Sequence, residues 1–241
     1  MAGQGLIERH RVRPNRASPR FPGEERGYGR DVADPEERNP ALELVAEGAS
    51  LDVLRAAAED CTACELYREA TQVVFGSGAA TASIMMVGEQ PGDAEDLEGE
   101  PFVGPAGSVL EETMAEAGIA PEDVYLTNAV KHFRWKPKGK RRLHQTPSTR
   151  HVRACLPWLE AELAEVSPEV IVCLGATASQ ALLGRAFRVT KDHGKPMRWG
   201  DHQVIATIHP SAVLRAREPE ERERLRTLLI DDLRVALALT R

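Results

Sequence analysis

Four short apolar runs, rich in β-branched residues, punctuate the chain at 84–87, 124–127, 170–174 and 204–208. Their apolar character is continuous rather than alternating, as in strands covered on both faces. Between them the apolar period lengthens to that of helices, over 108–117, within 147–165, over 176–183 after Gly175, and over 220–239. A shorter helical pattern at 51–58 is opened by Ser50 as N-cap. Strand–helix alternation of this kind predicts right-handed crossovers and a three-layer α/β/α sandwich around a central four-stranded parallel sheet. In such a sheet, ligands bind beyond the carboxyl ends of the strands. The segments that follow each run are therefore the ones to interrogate.

Composition adjusts this picture at the amino end. Residues 1 to about 40 hold five prolines, many arginines and comparable acids, with little apolar periodicity. Too little surface can be buried there to offset ordering entropy, so a disordered tail is expected over 1–40 and one folded domain over 41–241. The whole chain of 241 residues is 42% hydrophobic and 28% charged, which suits a single α/β domain with a real core. No run approaches the roughly 20 apolar residues of a membrane span, and no secretory signal pattern opens the chain. A cytoplasmic protein, monomeric by default, is the expectation. A formal net charge of −6 excludes a uniformly basic nucleic-acid coat, so any binding of DNA needs a local patch.

Such a patch follows the second run. From Lys131 to Arg153 there are nine Lys or Arg and no acid, with Phe133 and Trp135 interleaved. Cations alternating with aromatics suit single-stranded DNA, whose phosphates pair with charge while bases stack. A solvated charged loop is the plainer alternative. The first run ends in Gly88-Glu89-Gln90-Pro91-Gly92-Asp93, a tight turn that projects two carboxylates at a strand end and lacks the dinucleotide-binding glycine pattern. Phe102, between Pro101 and Gly104, is either a stacking platform or a core anchor. Asn128 ends the second run and His209 the fourth, on the same rim as Glu89.

Four cysteines remain: Cys61, Cys64, Cys155 and Cys173. In a reducing compartment a C-x-x-C pair with two distant cysteines reads as a metal site or as buried thiols. The second reading suits Cys173, inside an apolar run, better than Cys61 and Cys64. Cysteine counting cannot separate zinc from iron–sulfur.

Together these segments resemble the family 4 uracil-DNA glycosylases, and more narrowly their UdgX group. The resemblance runs from Asp60 to the carboxyl end and rests on Cys61-x-x-Cys64, GEQPGDAED at 88–96, PFVGPAG at 101–107, TNAVKHF at 127–133, KRRLH at 140–144, LGATA at 174–178 and HPS at 209–211. Gln90, where ordinary members carry alanine, and the KRRLH loop point to the narrower group. The resemblance implies the uracil-DNA glycosylase fold and a [4Fe–4S] cluster on Cys61, Cys64, Cys155 and Cys173. It implies uracil-containing DNA, preferably single-stranded, as substrate. Phe102 would stack on a flipped uracil, Asn128 would bond its Watson–Crick edge, and His209 would stabilise the leaving anion. His144 would capture C1′ covalently in a single turnover, with Glu89 keeping its ring basic and oriented. Arg142 would place the loop and touch phosphate, Lys140 and Arg141 would bind DNA, and Gln90 and Asp93 would shape the uracil pocket, Gln90 through its backbone. Two rivals stand beside this: a turnover glycosylase that releases abasic DNA, and a non-catalytic iron–sulfur DNA-binding or electron-transfer protein.

Overall fold

A computed structural model describes residues 39–240; the tail expected over 1–40 lies, except for its last two residues, outside them. In chain order the strands are β1 (Ser77–Gly78), β2 (Ile84–Gly88), β3 (Val124–Asn128), β4 (Trp135–Lys138), β5 (Arg141–His144), β6 (Val170–Leu174), β7 (Met197–Trp199) and β8 (His202–Thr207). The helices are α1 (Ala41–Leu44), α2 (Leu51–Ala58), α3 (Asp93–Glu98), α4 (Pro105–Ala117), α5 (Thr149–Val166), α6 (Ala176–Leu183), α7 (Val189–Asp192), α8 (Ser211–Arg215) and α9 (Pro219–Ala238).

The four apolar runs lie side by side as a parallel sheet in the order β3-β2-β6-β8. Two antiparallel edges extend it to six strands, β1 beside β3 and β7 beside β8. These edges are two and three residues long and carry no apolar run, which is why periodicity does not announce them. Every residue of β2 and β6 is buried, and alternate side chains serve opposite layers. Met85, Val87, Ile171 and Cys173 pack with α2, α5 and α6, around the fully buried Trp158. Ile84, Met86, Val172 and Leu174 pack with α4 and α9. Burying each such side chain contributes about 1.5–3 kcal/mol, so the sheet's register is tightly specified.

Within the first layer sits a charged pair. Lys131 Nζ lies 2.5 Å from Glu162 Oε2, and both side chains are essentially inaccessible. Glu162 also accepts from Thr127, Tyr125 and the Gly76 N–H, while Lys131 donates to Thr127 and to the Asn128 carbonyl. A buried pair survives only when its remaining lone pairs and protons are met in this way.

The basic segment is a two-stranded hairpin, not the open loop its charge suggests. β4 and β5 pair only with each other and turn through Gly139-Lys140, with Gly139 at φ +60°. Pro137 is tolerated because the hairpin has no third strand to bond. The acidic segment after β2 likewise becomes helix α3, whose first turn holds Asp93, Glu95 and Asp96. Among the described residues no helix is long and apolar enough to cross a membrane.

Candidate active site

The register places Gly88 directly abreast of Asn128. Past these carboxyl ends opens a cavity of about 950 Å³, lined by Glu89, Gln90, Asp93, Phe102, Asn128, His144, His209 and Arg215 among others. Seven of the expected site residues thus converge: Glu89, Gln90 and Asp93 from the segment after β2, Phe102 from the turn between α3 and α4, Asn128 from β3, His144 from the hairpin and His209 from the turn after β8.

Gly88 is dictated by its neighbours. A Cβ there would come within 2.3 Å of Asn128 Oδ1 and 2.7 Å of Phe102 Cζ, so the missing side chain lets these two meet. Phe102 itself has φ +60°, a left-handed conformation costly for an aromatic residue. Two features hold it there. Gly107 packs on its carbonyl, where any Cβ would collide. Buried Glu95 accepts the N–H of Gly92 with one oxygen and the N–H of Gly104 with the other, at 3.0 and 2.9 Å, fastening the two turns on either side. Glu95 was not singled out from sequence, where it is one acid among several. The Phe102 ring lies nearly parallel to that of His209, 6.3 Å between centroids and 24° between planes.

His209 is held neutral. The Ser211 backbone N–H donates to its Nδ1 at 3.2 Å, with the Ser211 hydroxyl 2.8 Å away. Because Nδ1 must accept, the ring proton resides on Nε2. Burial pushes the pKa down to about 4, with the charges of Arg215 and His144 adding to it.

His144 ends β5, half-exposed, with Nε2 3.6 Å from Glu89 Oε1. Partial burial lowers its pKa against the pull of Glu89, with Arg215 opposing protonation as well. Glu89 is asymmetric. Its Oε2 accepts the Thr177 hydroxyl at 2.7 Å, whereas Oε1 is buried without a hydrogen-bond partner.

Two of the expected site residues have partners that their sequence positions do not announce. Arg142 is paired within the protein: its Nε lies 2.6 Å from Asp93 Oδ1 and its Nη1 2.5 Å from Asp96 Oδ2. The guanidinium lies over the rings of Phe133 and Trp135, so it fastens the hairpin to α3. The Gln90 side chain is engaged beside the cavity that the residue lines. The amide donates to the carbonyls of Arg134 and Gln145 and accepts the Arg134 N–H, closing the base of the hairpin. Lys140 and Arg141, with Lys136 and Lys138, stand exposed at its tip.

The four cysteines are all buried in the layer beneath α5. The Trp158 indole donates to Cys61 Sγ at 3.2 Å, and the Cys155 thiol bonds Cys64, whose pKa falls to about 7. Burial pushes the Cys173 thiol up to about 12. Four buried thiols on one side of the sheet suit a four-thiolate group in kind and number. Yet they do not converge: among the described residues no three Cys, His, Asp or Glu side chains gather closely enough to hold a metal ion.

A parallel sheet whose strand ends gather a Phe ring, an Asn and a neutral His around one cavity suits an enzyme acting on a planar ligand. Residues 75–234 match the model of the uracil DNA glycosylase superfamily, and the chain belongs to that superfamily. It is 40% identical over 188 residues to a type-4 uracil-DNA glycosylase of Thermotoga maritima, spanning 77% of this chain and 92% of the relative. A type-4 uracil-DNA glycosylase of Archaeoglobus fulgidus is 39% identical over 173 residues, 68% of this chain and 83% of its own. One from Sulfurisphaera tokodaii is 34% identical over 174 residues, 68% and 76% respectively.

Proposed function

We propose that the chain excises uracil from DNA at this cavity, and that His144 then bonds to the sugar left behind. The observation that carries the reading is the convergence of Glu89, Phe102, Asn128, His144 and His209 on one cavity. A uracil flipped out of the strand stacks on Phe102 and presents its edge to the Asn128 amide. When the C1′–N1 bond breaks, both electrons leave with the base, and the Nε2–H of neutral His209 is the donor for the charge growing on its oxygen. Being uncharged already, His209 needs no proton loss to take that role.

The sugar becomes electron-poor at C1′. The unpartnered Oε1 of Glu89 and the imidazole of His144 lie 3.6 Å apart and both residues line the cavity, which supports placing the sugar beside them. An imidazole lone pair forms the bond to C1′, the ring loses its N–H proton to solvent, and uracil gains one. A low pKa keeps that lone pair free at neutral pH. The product is a protein–DNA adduct, formed once per molecule.

The second reading is turnover, with water in place of His144 and Glu89 accepting its proton. The names of the relatives favour it, since each is called a type-4 uracil-DNA glycosylase. A denaturing gel separates the two. With uracil-containing single-stranded DNA, a shifted band that resists SDS and heat and disappears in His144→Gly is expected for capture. Abasic DNA with no shifted band would leave turnover. Intact DNA would end both. Single-stranded substrate is part of the proposal, because flipping costs least there and the exposed hairpin cations suit a flexible strand. A matched duplex reacting equally fast would count against it.

A [4Fe–4S] cluster on Cys61, Cys64, Cys155 and Cys173 is proposed alongside, supported by four buried thiols in one layer and the indole N–H on Cys61. When bound, it would tie the turn after α2 to α5 and β6, and no step of excision passes through it. Four iron atoms per chain and visible absorbance lost in Cys61→Ala are expected. Colourless, iron-free protein that remains folded and active would refute it.

A further inference from the structure

The turn after β6, Gly175-Ala176-Thr177, has so far no part in the chemistry, yet it touches two of the site's residues. Thr177 donates its hydroxyl to Glu89 Oε2 at 2.7 Å across a sequence separation of 88 residues. Gly175, at φ +92°, donates its N–H to the Thr207 carbonyl at 2.9 Å. Its missing side chain gives His209 room, since a Cβ would sit 3.0 Å from that of His209.

From this geometry we infer that Thr177 is a positioning residue for excision, one that selects which oxygen of Glu89 faces the reacting sugar. The inference rests on the reading of Glu89 given above. A carboxylate at the end of a flexible side chain can present either oxygen, or turn away. Here one oxygen is engaged by the hydroxyl, and the other is left buried, without a partner, 3.6 Å from His144 Nε2. An unpaired buried carboxylate oxygen is costly unless its surroundings hold it in place. The Thr177 hydroxyl supplies that hold, at the first turn of α6 and therefore on a rigid element. The bond persists whether C1′ is finally taken by His144 or by water, because both need Oε1 aimed at the same space.

The test is a double-mutant cycle in the full chain, read as the single-turnover rate of uracil release at saturating single-stranded DNA. Thr177→Val keeps the shape and removes the donor; Thr177→Ala is the second variant should valine disturb folding. The rate is expected to fall roughly ten- to a hundredfold, the range of a hydrogen bond to a charged group. DNA affinity should stay within a factor of two, since Thr177 is outside the cavity lining. Thr177→Ser should restore most of the rate. In a Glu89→Gln background, Thr177→Val should cause no further loss, whereas a merely structural role would give losses that multiply. A Thr177→Val rate within twofold of the parent, or multiplying losses, would overturn the inference and leave Glu89 standing. If Glu89→Gln alone leaves the rate intact, the role of Glu89 falls and this inference with it.

Discussion

Arg142 Nη1 lies 2.5 Å from the buried Asp96 carboxylate, which also accepts the Thr71 N–H through both oxygens. The hairpin that carries His144 is therefore fastened to α3 by a charge pair in which one partner cannot move. Arg142→Ala should lower adduct formation, or turnover in its place, by roughly ten- to a hundredfold, the cost of a bond to a charged group. Arg142→Lys should recover little, because a lysine cannot reach Asp93 and Asp96 with one planar fork. Single-turnover kinetics on the three proteins decide this, and an Arg142→Lys variant as fast as the parent would contradict it.

Salt dependence should separate the cations by role. Lys140 and Arg141 are exposed at the hairpin tip, whereas Arg142 is spent on carboxylates. Removing the two tip charges should flatten the slope of log affinity against log salt by about 1.4 for single-stranded DNA, at ~0.7 per phosphate contact. Arg142→Ala should leave that slope nearly unchanged. Titrations between low and physiological salt measure both.

Stability should fall with acid through a histidine outside the chemistry. Burial pushes the His132 pKa down to about 4, against a weaker pull from Asp96. Between pH 6.5 and 4 the unfolded chain then binds a proton that the folded chain refuses, so this contribution is present above pH 6.5 and lost as pH falls towards 4. The span corresponds to about 3 kcal/mol. Urea unfolding at pH 6.5 and 4.5 should show a smaller difference for His132→Phe than for the parent.

Lys131→Met should destabilise by about 3–5 kcal/mol, because it strands the Glu162 carboxylate in the core. Lys131→Met with Glu162→Gln should cost less than the two single changes added together. Denaturant midpoints of the four proteins check this, and strict additivity would show that the pair does not act as a unit.

The sheet was legible because burial on both faces leaves a continuous apolar run, as in Val170–Leu174, that few other structures need. The rim was legible too, since strand ends are where such folds place ligands, and Glu89, Asn128 and His209 all end runs. What could not be read was pairing at a distance. Arg142 looks like any other cation of the basic segment until Asp93 and Asp96, 49 and 46 residues earlier, close around it. Gln90 likewise meets its partners 44 and 55 residues onward. The hairpin strands escaped because Trp135-Lys136-Pro137-Lys138 and Arg141-Arg142-Leu143-His144 hold no β-branched residue. In Cys173 the pattern held two meanings, since a buried thiol and a ligand occupy an apolar strand equally well.

The β4–β5 hairpin bonds to no strand of the main sheet and is held by Arg142, by Gln90 and by the Trp135 indole on the Glu69 carbonyl. It is in effect an appendage, attached by side chains to a body whose layers close without it. The residues proposed to grip the base belong to the body, and the residue proposed to seize the sugar belongs to the appendage. On that proposal, exchanging the ten residues 135–144 should rewrite the fate of the product while base recognition keeps its foundations.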